Sequence, residues 1–333
     1  MITEQLLRQF DKKNVVITGG TGMIGRQIAN ILVDAGANVR VVSLDDIVIH
    51  KKIDHVKGDL TSFDFCKSIT NDMNYVFHVA GIKGSVQVTL EKPASFFVPL
   101  LMFNTNVLEA SRLNKVEKLV YTSSIGAYSA DEVFVESQEQ ETGPPMDFFP
   151  GWAKRMGELQ VQSYQIQHDM NNFAIVRPCN VYGPGDNFDV DNAMVIPTLI
   201  ARIASGENPV TVWGDGSAIR DFAFSRDVAE GVILALIHGT GGRYVNLGSG
   251  TGTSIKELVT IMADLFSFQY EFDHTKPSGF PKRIMDITLA RETIGYNPTT
   301  SLREGLEITW DWFQKNKDQF KKKKNYFSTE NHK

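Results

Sequence analysis

The chain has 333 residues, of which 42% are hydrophobic and 22% are charged, a balance typical of a globular protein with a sizeable core. Its formal net charge of -5 argues against a nucleic-acid-binding protein. The two cysteines, Cys66 and Cys179, and the seven histidines show no metal-type spacing. We therefore expect no metal site, no disulfide and a reducing, cytoplasmic location.

No stretch of the sequence looks like a membrane segment or a signal peptide. The opening stretch MITEQLLRQFDKKN is polar and lacks the apolar core of a signal peptide. The most apolar run, FFVPLLMF, is too short to cross a bilayer and contains Pro99. The basic sequence at 321–333 predicts a flexible, solvated tail. No membrane partner is expected.

Strand-like and helix-like segments alternate along the first 180 residues. NVVITGG, at 14–20, is a short β-branched run, and a helical pattern follows it from Met23 to a glycine suited to a C-terminal cap, Gly36. Later strand-like runs are VRVVSLDD, NYVFHVAG, KLVYTSS, NFAIVRP and GRYVNLGS, with helical segments at about 101–112 and 152–170. This alternation predicts an α/β fold with a Rossmann-type doubly wound parallel sheet.

The character of the sequence changes after Pro178. The polar, turn-rich stretch YGPGDNFDVDN suits a ligand-facing loop, and the helical AMVIPTLIARIAS follows it. We predict that the sheet domain comprises 1–180 and about 222–250. A smaller C-terminal lobe that binds substrate comprises 181–221 and about 251–320.

A glycine pattern lies between the first strand and the first long helix. In TGGTGMIG, the spacing of Gly19, Gly22 and Gly25 lets the backbone approach a pyrophosphate at the helix N-terminus. Asp45 ends the next strand, 20 residues after Gly25, where a carboxylate binds a ribose and repels a 2′-phosphate. The pattern predicts NAD as the cofactor. The alternative is a purely structural glycine turn beside a surface aspartate.

Several short motifs together resemble the extended short-chain dehydrogenase/reductases that act on nucleotide sugars. They are the glycine loop, GDL (58–60), HVAG (78–81), YTSS (121–124), WAK (152–154) and RPCNVYGPGDN (177–187). The resemblance covers about 14–306 and implies that His78 packs within its strand. The implied cofactor-binding residues are Gly19, Gly22, Met23, Ile24, Gly25, Asp45, Asp59, Leu60, Ala80, Gly81 and Lys154.

The second half is most similar to GDP-L-fucose synthase-like GDP-sugar enzymes. The similarity lies in YGPGDNFDVDNAMVIPTLIARI, VWGDGSAIRDFAF and KPSGFPKRIMDITLARETIGYNPTTSLREGL. It implies that Trp213 stacks on guanine and Arg220 contacts the diphosphate, with added charge from Lys282 or Arg283. A core tryptophan and a surface arginine are the structural alternatives. The implied substrate-binding residues are Ser124, Asn180, Val195, Trp213, Arg220 and Lys282.

The catalytic group of this family consists of a serine, a tyrosine and a lysine. The tyrosine exchanges a proton with the substrate, while the lysine lowers the pKa of the tyrosine and holds the cofactor ribose. Ser124 and Lys154 match two members, but the tyrosine position, four residues before Lys154, holds Pro150. Proline is favoured at the first position of a helix, so FFPGWAKRMGE also fits an ordinary helix start.

Two further proton-transfer positions of the fucose-type enzymes are changed. Gly126 and Met194 stand where the resemblance places the cysteine and histidine of the epimerisation steps. Neither residue can transfer a proton, so we expect no 3,5-epimerase activity of that type. The remaining candidates for the proton carrier are Tyr128, Lys154, solvent or a hydroxyl of the substrate.

Three functions are compatible with these residues. The first is an NAD-dependent oxidoreductase that oxidises C4 of a GDP-hexose or GDP-heptose to a 4-keto sugar and retains NADH. The second is a nucleotide-sugar 4-epimerase or 4-reductase, and the third a non-catalytic protein that binds NAD and a nucleotide sugar. We predict the first, because Ser124, Lys154 and Asp45 are kept while the proton-transfer groups are changed. The resemblance also implies a homodimer or a dimer of dimers, formed through 94–112 and 152–170.

Overall fold

The helices and strands are defined in a computed structural model that describes residues 2–82, 84, 86–136, 143–318 and 323. The helices are α1 (Glu4–Leu7), α2 (Met23–Asp34), α3 (Phe63–Thr70), α4 (Val86–Glu91), α5 (Pro93–Leu113), α6 (Phe148–His168), α7 (Val195–Ala204), α8 (Ser225–His238), α9 (Ile255–Phe266), α10 (Thr288–Ile294) and α11 (Leu302–Lys315). The strands are β1 (Asn14–Thr18), β2 (Asn38–Ser43), β3 (Asp54–Lys57), β4 (Tyr75–His78), β5 (Lys118–Thr122), β6 (Val133–Phe134), β7 (Phe173–Pro178), β8 (Asn180–Tyr182), β9 (Val210–Trp213), β10 (Ile219–Phe224), β11 (Tyr244–Leu247), β12 (Gly252–Ser254), β13 (Tyr270–Asp273) and β14 (Lys282–Met285).

Seven parallel strands form the main sheet, in the order β3-β2-β1-β4-β5-β7-β11. The chain runs outward from β1 in one direction and then returns to add β4 on the other side. The register places Val15 beside Val39 on one neighbour and beside Tyr75 on the other. The predicted doubly wound Rossmann-type sheet is confirmed. Its crevice opens between the carboxyl ends of β1 and β4, where such sheets bind their ligands.

Helices cover both faces of this sheet, which explains why its strands are apolar along their whole length. Val15 and Ile17 pack into one buried cluster with α2 and α8, whereas Val16, between them, packs into a second cluster with α3 and α5. Successive strand residues point to opposite faces, so each face receives alternate residues of β1. The two layers of helices fix the positions of the strand ends and therefore the shape of the crevice.

The C-terminal part has its own sheets and core. Strands β12-β10-β14-β6 form a second sheet, with β8 also paired to β10, and β9 pairs with β13. A third buried cluster joins α7, α9 and α11 around residues that include Ile200, Val212, Leu258 and Phe313. The domain boundaries stay a prediction. The predicted tail at 321–333 lies outside the described residues apart from Lys323.

Helices α5 and α6 pack against each other beside the sheet. Helix α6 begins at Phe148, four residues before the segment expected at about 152–170, so Pro150 lies inside the first turn. The backbone N–H groups of a first turn have no acceptor within the helix, and proline is therefore tolerated there. Helix α5 begins earlier than expected and continues through Pro99. No helix in the described part of the chain is both long and apolar enough to cross a membrane.

Candidate active site

A cleft of about 700 Å³ opens at the carboxyl ends of the main-sheet strands. All the residues expected to bind the cofactor line it, namely Gly19, Gly22, Met23, Ile24, Gly25, Asp45, Asp59, Leu60, Ala80, Gly81 and Lys154. Ser124 lines the same cleft, as do residues 185–187, 189 and 192 of the polar loop. The sequence did not identify Pro99 and Phe103, which α5 contributes to the wall. Their apolar side chains resemble those of any packed helix.

The glycine loop is shaped for close approach of a ligand to the backbone. Gly19 has a φ of +69°, and a methyl group on it would lie 2.7 Å from Cα of Ala80. A methyl group on Gly25 would lie 2.6 Å from the carbonyl oxygen of Gly19. The N–H of Gly22 donates to that same oxygen at 3.0 Å. The loop therefore requires glycine, and it leaves the N-terminus of α2 open to a pyrophosphate.

Asp45 presents a carboxylate at the end of β2, on the rim of the cleft. Its Oδ2 accepts hydrogen bonds from Oγ1 of Thr21 at 2.8 Å and from Oγ of Ser43 at 3.3 Å. These bonds orient the carboxylate without neutralising it. The position fits the ribose hydroxyls of NAD and disfavours a 2′-phosphate, because two negative groups would meet.

His78 is a packing residue, as the resemblance implied. Its buried ring bonds through Nδ1 to Oγ1 of Thr18 at 2.7 Å and through Nε2 to Oδ1 of Asn104 at 2.9 Å. The amide oxygen can only accept, so Nε2 carries the hydrogen and Nδ1 accepts from the threonine. Burial, reinforced by the charge of Lys154, lowers the pKa of His78 to about 3. The ring is neutral and ties β1, β4 and α5 together.

Ser124, two residues after the end of β5, and Lys154, on α6, both line the cleft. Oγ of Ser124 accepts from the N–H of Gly126 at 3.0 Å, which leaves its O–H free to donate. Nζ of Lys154 donates to the carbonyl oxygen of Thr122 at 2.7 Å. Burial lowers the pKa of Lys154 to about 8, although Glu158 opposes that shift. The lysine therefore stays mostly cationic at neutral pH.

A buried ionic network lies behind this pair and was not predicted. Glu158 accepts from Arg177 at Nε (2.8 Å) and Nη2 (2.5 Å) and from the hydroxyl of Ser123. The guanidinium of Arg177 also lies 3.4 Å from the ring centroid of Tyr244. Because Glu158 is one turn after Lys154, the network sets the rotation of α6 relative to β5 and β7.

The structure places Tyr128 away from the cleft, and we drop it as a proton carrier. Its side chain is fully buried, its O–H donates to Oδ1 of Asn246 at 2.9 Å, and its ring packs on Phe134. The guanidinium of Arg177 lies 4.3 Å from the ring centroid. Burial raises the pKa of Tyr128 far above its ordinary value. The sequence spacing from Ser124 could not show this packing.

A carboxylate that the sequence did not identify lies over Gly126. A methyl group on Gly126 would lie 2.9 Å from both Cβ and Cγ of Asp147, and closer still to Oδ2. The N–H of Asp147 also donates to the carbonyl oxygen of Gly126 at 3.3 Å. An aspartate just before a helix usually caps it. Asp147 precedes α6 but makes no side-chain cap, so its carboxylate is directed elsewhere.

Two arginines lie side by side in the second sheet, on the C-terminal side of the cleft. Arg220 of β10 and Arg283 of β14 are register partners, and Oδ1 of Asp147 lies 3.5 Å from Nη1 of Arg283. Burial, together with the charge of Arg283, lowers the pKa of Arg220 to about 10. Lys282 is the register partner of Ile219 on the same strand pair. This concentration of positive charge is suited to an anion.

The other predicted substrate residues are spread over the C-terminal part. Trp213 ends β9 with 57% of its surface exposed, and Nζ of Lys276 lies 5.5 Å from the centre of the indole ring. Asn180 donates from Nδ2 to the carbonyl oxygen of Asp221 at 3.3 Å. Val195 begins α7 and packs on the third core. These three do not line the cofactor cleft, whereas Ser124 does.

Comparison with known proteins identifies the family. A model described as the NAD dependent epimerase/dehydratase family matches residues 15–248. The chain belongs to this family. It is 32% identical to the probable GDP-L-fucose synthase 1 of Oryza sativa subsp. japonica, over 91% of this chain and 92% of that protein.

Solved structures agree with this assignment. The epimerase Mth375 of Methanothermobacter thermautotrophicus superposes with a TM-score of 0.84 at 27% identity, covering 96% of this chain and 97% of that one. MoeE5, in complex with UDP-glucuronic acid and NAD, superposes with a TM-score of 0.79 at 26% identity, covering 91% and 99%. The predicted family and the predicted cofactor, NAD, are both confirmed.

Proposed function

We propose that the protein oxidises C4 of a GDP-hexose or GDP-heptose to a 4-keto sugar and retains the reduced cofactor. The observation that carries the proposal is the pairing of Ser124 and Lys154 in the NAD cleft with a proline, Pro150, at the tyrosine position. The groups that orient a hydroxyl and the cofactor are present. The group that returns a proton to a carbonyl is absent.

The GDP moiety is inferred from the substrate side. The relative from Oryza sativa is named a GDP-L-fucose synthase. Trp213 offers an exposed indole face on which a purine can stack. Arg220 and Arg283 offer adjacent guanidinium groups that match the oxygens of a diphosphate. Together they provide the two ends of a nucleoside diphosphate site.

The chain contributes orientation and charge to this reaction. Ser124 accepts from Gly126, which leaves its O–H free to donate to the substrate oxygen. Lys154 uses one of its three N–H groups on Thr122, which leaves two for the cofactor ribose. NAD, when bound, accepts the hydride from the sugar carbon. The ion pair between Glu158 and Arg177 fixes α6 one turn beyond Lys154.

The proposal is tested by mixing the purified protein with NAD and a panel of GDP-hexoses and GDP-heptoses. We expect nicotinamide reduction with at least one sugar, a 4-keto product identified by mass spectrometry and NMR, and NADH in the protein as purified. Ser124→Ala and Lys154→Ala should each slow the reduction by roughly 10²–10⁴-fold. A C4 epimer as the product would favour a 4-epimerase instead. Tight binding of both ligands without reduction would favour a non-catalytic sensor.

We also propose a homodimer formed through α5 and α6. These packed helices expose apolar side chains to solvent, including Met102 (45% exposed) and Leu159 (52% exposed). Apolar patches of this kind mark interaction surfaces. Light scattering of the wild type should give a dimer, and Met102→Glu with Leu159→Glu should shift it to a monomer. A monomeric wild type would contradict the proposal.

A cytoplasmic location remains part of the proposal. Both cysteines, Cys66 and Cys179, are unpaired and buried, as suits a reducing compartment.

A further inference from the structure

We infer that Asp147 is the catalytic base that accepts the proton of the substrate hydroxyl. The inference rests on the proposed function and identifies the missing proton carrier of that same site. Its basis is the position of the carboxylate over Gly126, in space that a side chain at residue 126 would occupy.

Asp147 and Ser124 lie on the same short turn of backbone. Oγ of Ser124 bonds to the N–H of Gly126, and the N–H of Asp147 bonds to the carbonyl oxygen of Gly126. Gly126 thus connects the serine that orients the hydroxyl to the carboxylate. Glycine is required, because a methyl group there would collide with Asp147. The turn therefore links, through Gly126, the two residues whose oxygen groups we assign to the substrate hydroxyl.

Asp147 also lies close to Pro150, which stands at the position of the family's tyrosine. It immediately precedes α6, and its carbonyl oxygen accepts the N–H of Gly151 at 2.6 Å, so it is fastened to the turn that contains Pro150. A methyl group on Gly151 would meet Pro145 and the carbonyl oxygen of Gly126. The small residues at 126 and 151 therefore let the start of α6 approach the serine turn closely.

Arg283 holds the carboxylate and connects it to the diphosphate site. The ion pair between Asp147 and Arg283 spans 3.5 Å, and Arg283 is adjacent to Arg220 across the strand pair. The side chain of Asp147 is 44% exposed. A proton taken by the carboxylate can therefore leave to water.

The proton and electron balance of the step is complete with the groups named. The C4–H bond breaks and its hydride goes to NAD. The O–H bond breaks and its proton goes to the carboxylate of Asp147, while the C=O bond forms between the same carbon and oxygen. A carboxylate within reach of the hydroxyl can serve as the general base for this proton.

The test compares Asp147→Asn with Asp264→Asn, which removes the same charge from an exposed ion pair with Arg303 between α9 and α11. Single-turnover nicotinamide reduction with the GDP-sugar found in the panel should fall by roughly 10²–10⁴-fold in Asp147→Asn and stay unchanged in the control. Sodium formate should restore part of the rate of Asp147→Ala, because a small carboxylate can fill the vacated space.

Calorimetric titration with GDP supplies the readout that does not depend on turnover. Asp147→Asn should bind GDP at least as tightly as the wild type, because Arg283 no longer has a competing carboxylate. Loss of GDP affinity in that variant would mean that Asp147 helps to bind the substrate and is not the catalytic base. Full turnover by Asp147→Asn would show that Asp147 is not the base, while leaving the proposed function intact. No reduction by the wild type with any sugar would overturn the proposed function, and the base with it.

Discussion

Lys154 donates from Nζ to the carbonyl oxygen of Thr122 at 2.7 Å, and this bond anchors a cation that is almost wholly removed from water. Glu158 lies one turn away and partly offsets the cost of burial, but burial dominates and lowers the pKa of Lys154 to about 8. The residue is therefore a titratable group with a measurable effect on folding. That effect reports the environment of the site without requiring a substrate.

We predict that the wild type gains stability relative to Lys154→Met as the pH rises from about 8 to 10.5. In that window the folded protein has lost the proton of Lys154, whereas the unfolded chain still binds it, so a rise in pH favours the folded state. The gain is at most about 3 kcal/mol. Urea unfolding of both proteins across this range measures it. Parallel stability curves would show that Lys154 is not buried as described.

The protonation of His78 should affect the stability of the protein at acidic pH. Its pKa is about 3 in the folded protein and near 6.5 when unfolded. The stability it provides is complete above pH 6.5 and is lost as the pH falls toward 3, because the unfolded chain takes up the proton first. We predict that His78→Gln is less stable at pH 7 but flattens the acid dependence between pH 6.5 and 4. The exposed His274, changed to Gln, serves as the control with a wild-type profile.

Asp45 should decide the choice between the two nicotinamide cofactors. The Asp45→Ser variant loses a charged acceptor for the ribose and the repulsion of a 2′-phosphate. A hydrogen bond to a charged group contributes about 1.5–3 kcal/mol, so the Kd for NAD should rise by roughly 10- to 100-fold, while NADP binding improves. Fluorescence titration with both cofactors measures this. Asp46→Asn, at the exposed neighbouring position, should change neither affinity.

The sheet and the cofactor cleft were predictable because their signals are local. A β-branched run such as that of β1 and the spacing of Gly19, Gly22 and Gly25 depend on a few adjacent residues. The start of α6 was expected at about residue 152 and lies four residues earlier, because the two phenylalanines and the proline before Trp152 are weak helix signals. Boundaries of this kind depend on packing rather than on propensity.

The chemical environment of the site was less predictable, because long-range packing creates it. Arg283 reaches Asp147 across 136 positions of sequence, through the pairing of β14 with β10. Tyr128 turns away from the cleft because Asn246 and Arg177 offer its hydroxyl and ring better partners inside the core. Residue spacing cannot reveal such contacts. The role of Asp147 was also missed because an aspartate just before a helix normally caps that helix.

Restoring the tyrosine tests why this chain lacks it. Pro150→Tyr places a hydroxyl four residues before Lys154, on the same face of α6, where the lysine charge would lower the pKa of the new tyrosine. The fold should tolerate the change at a cost of about 1 kcal/mol, because proline supplies only backbone rigidity in a first turn.

We predict that Pro150→Tyr speeds reduction of the 4-keto product by NADH by roughly 10²-fold, because a tyrosine carries a proton at neutral pH and can donate it to the carbonyl oxygen. The oxidation should be accelerated by a similar factor, because a catalytic group does not change the equilibrium constant of the reaction. Pro150→Phe is the matched control, with the same ring and no hydroxyl. Equal reduction rates in the Tyr and Phe variants would mean that the restored hydroxyl takes no part in the proton transfer.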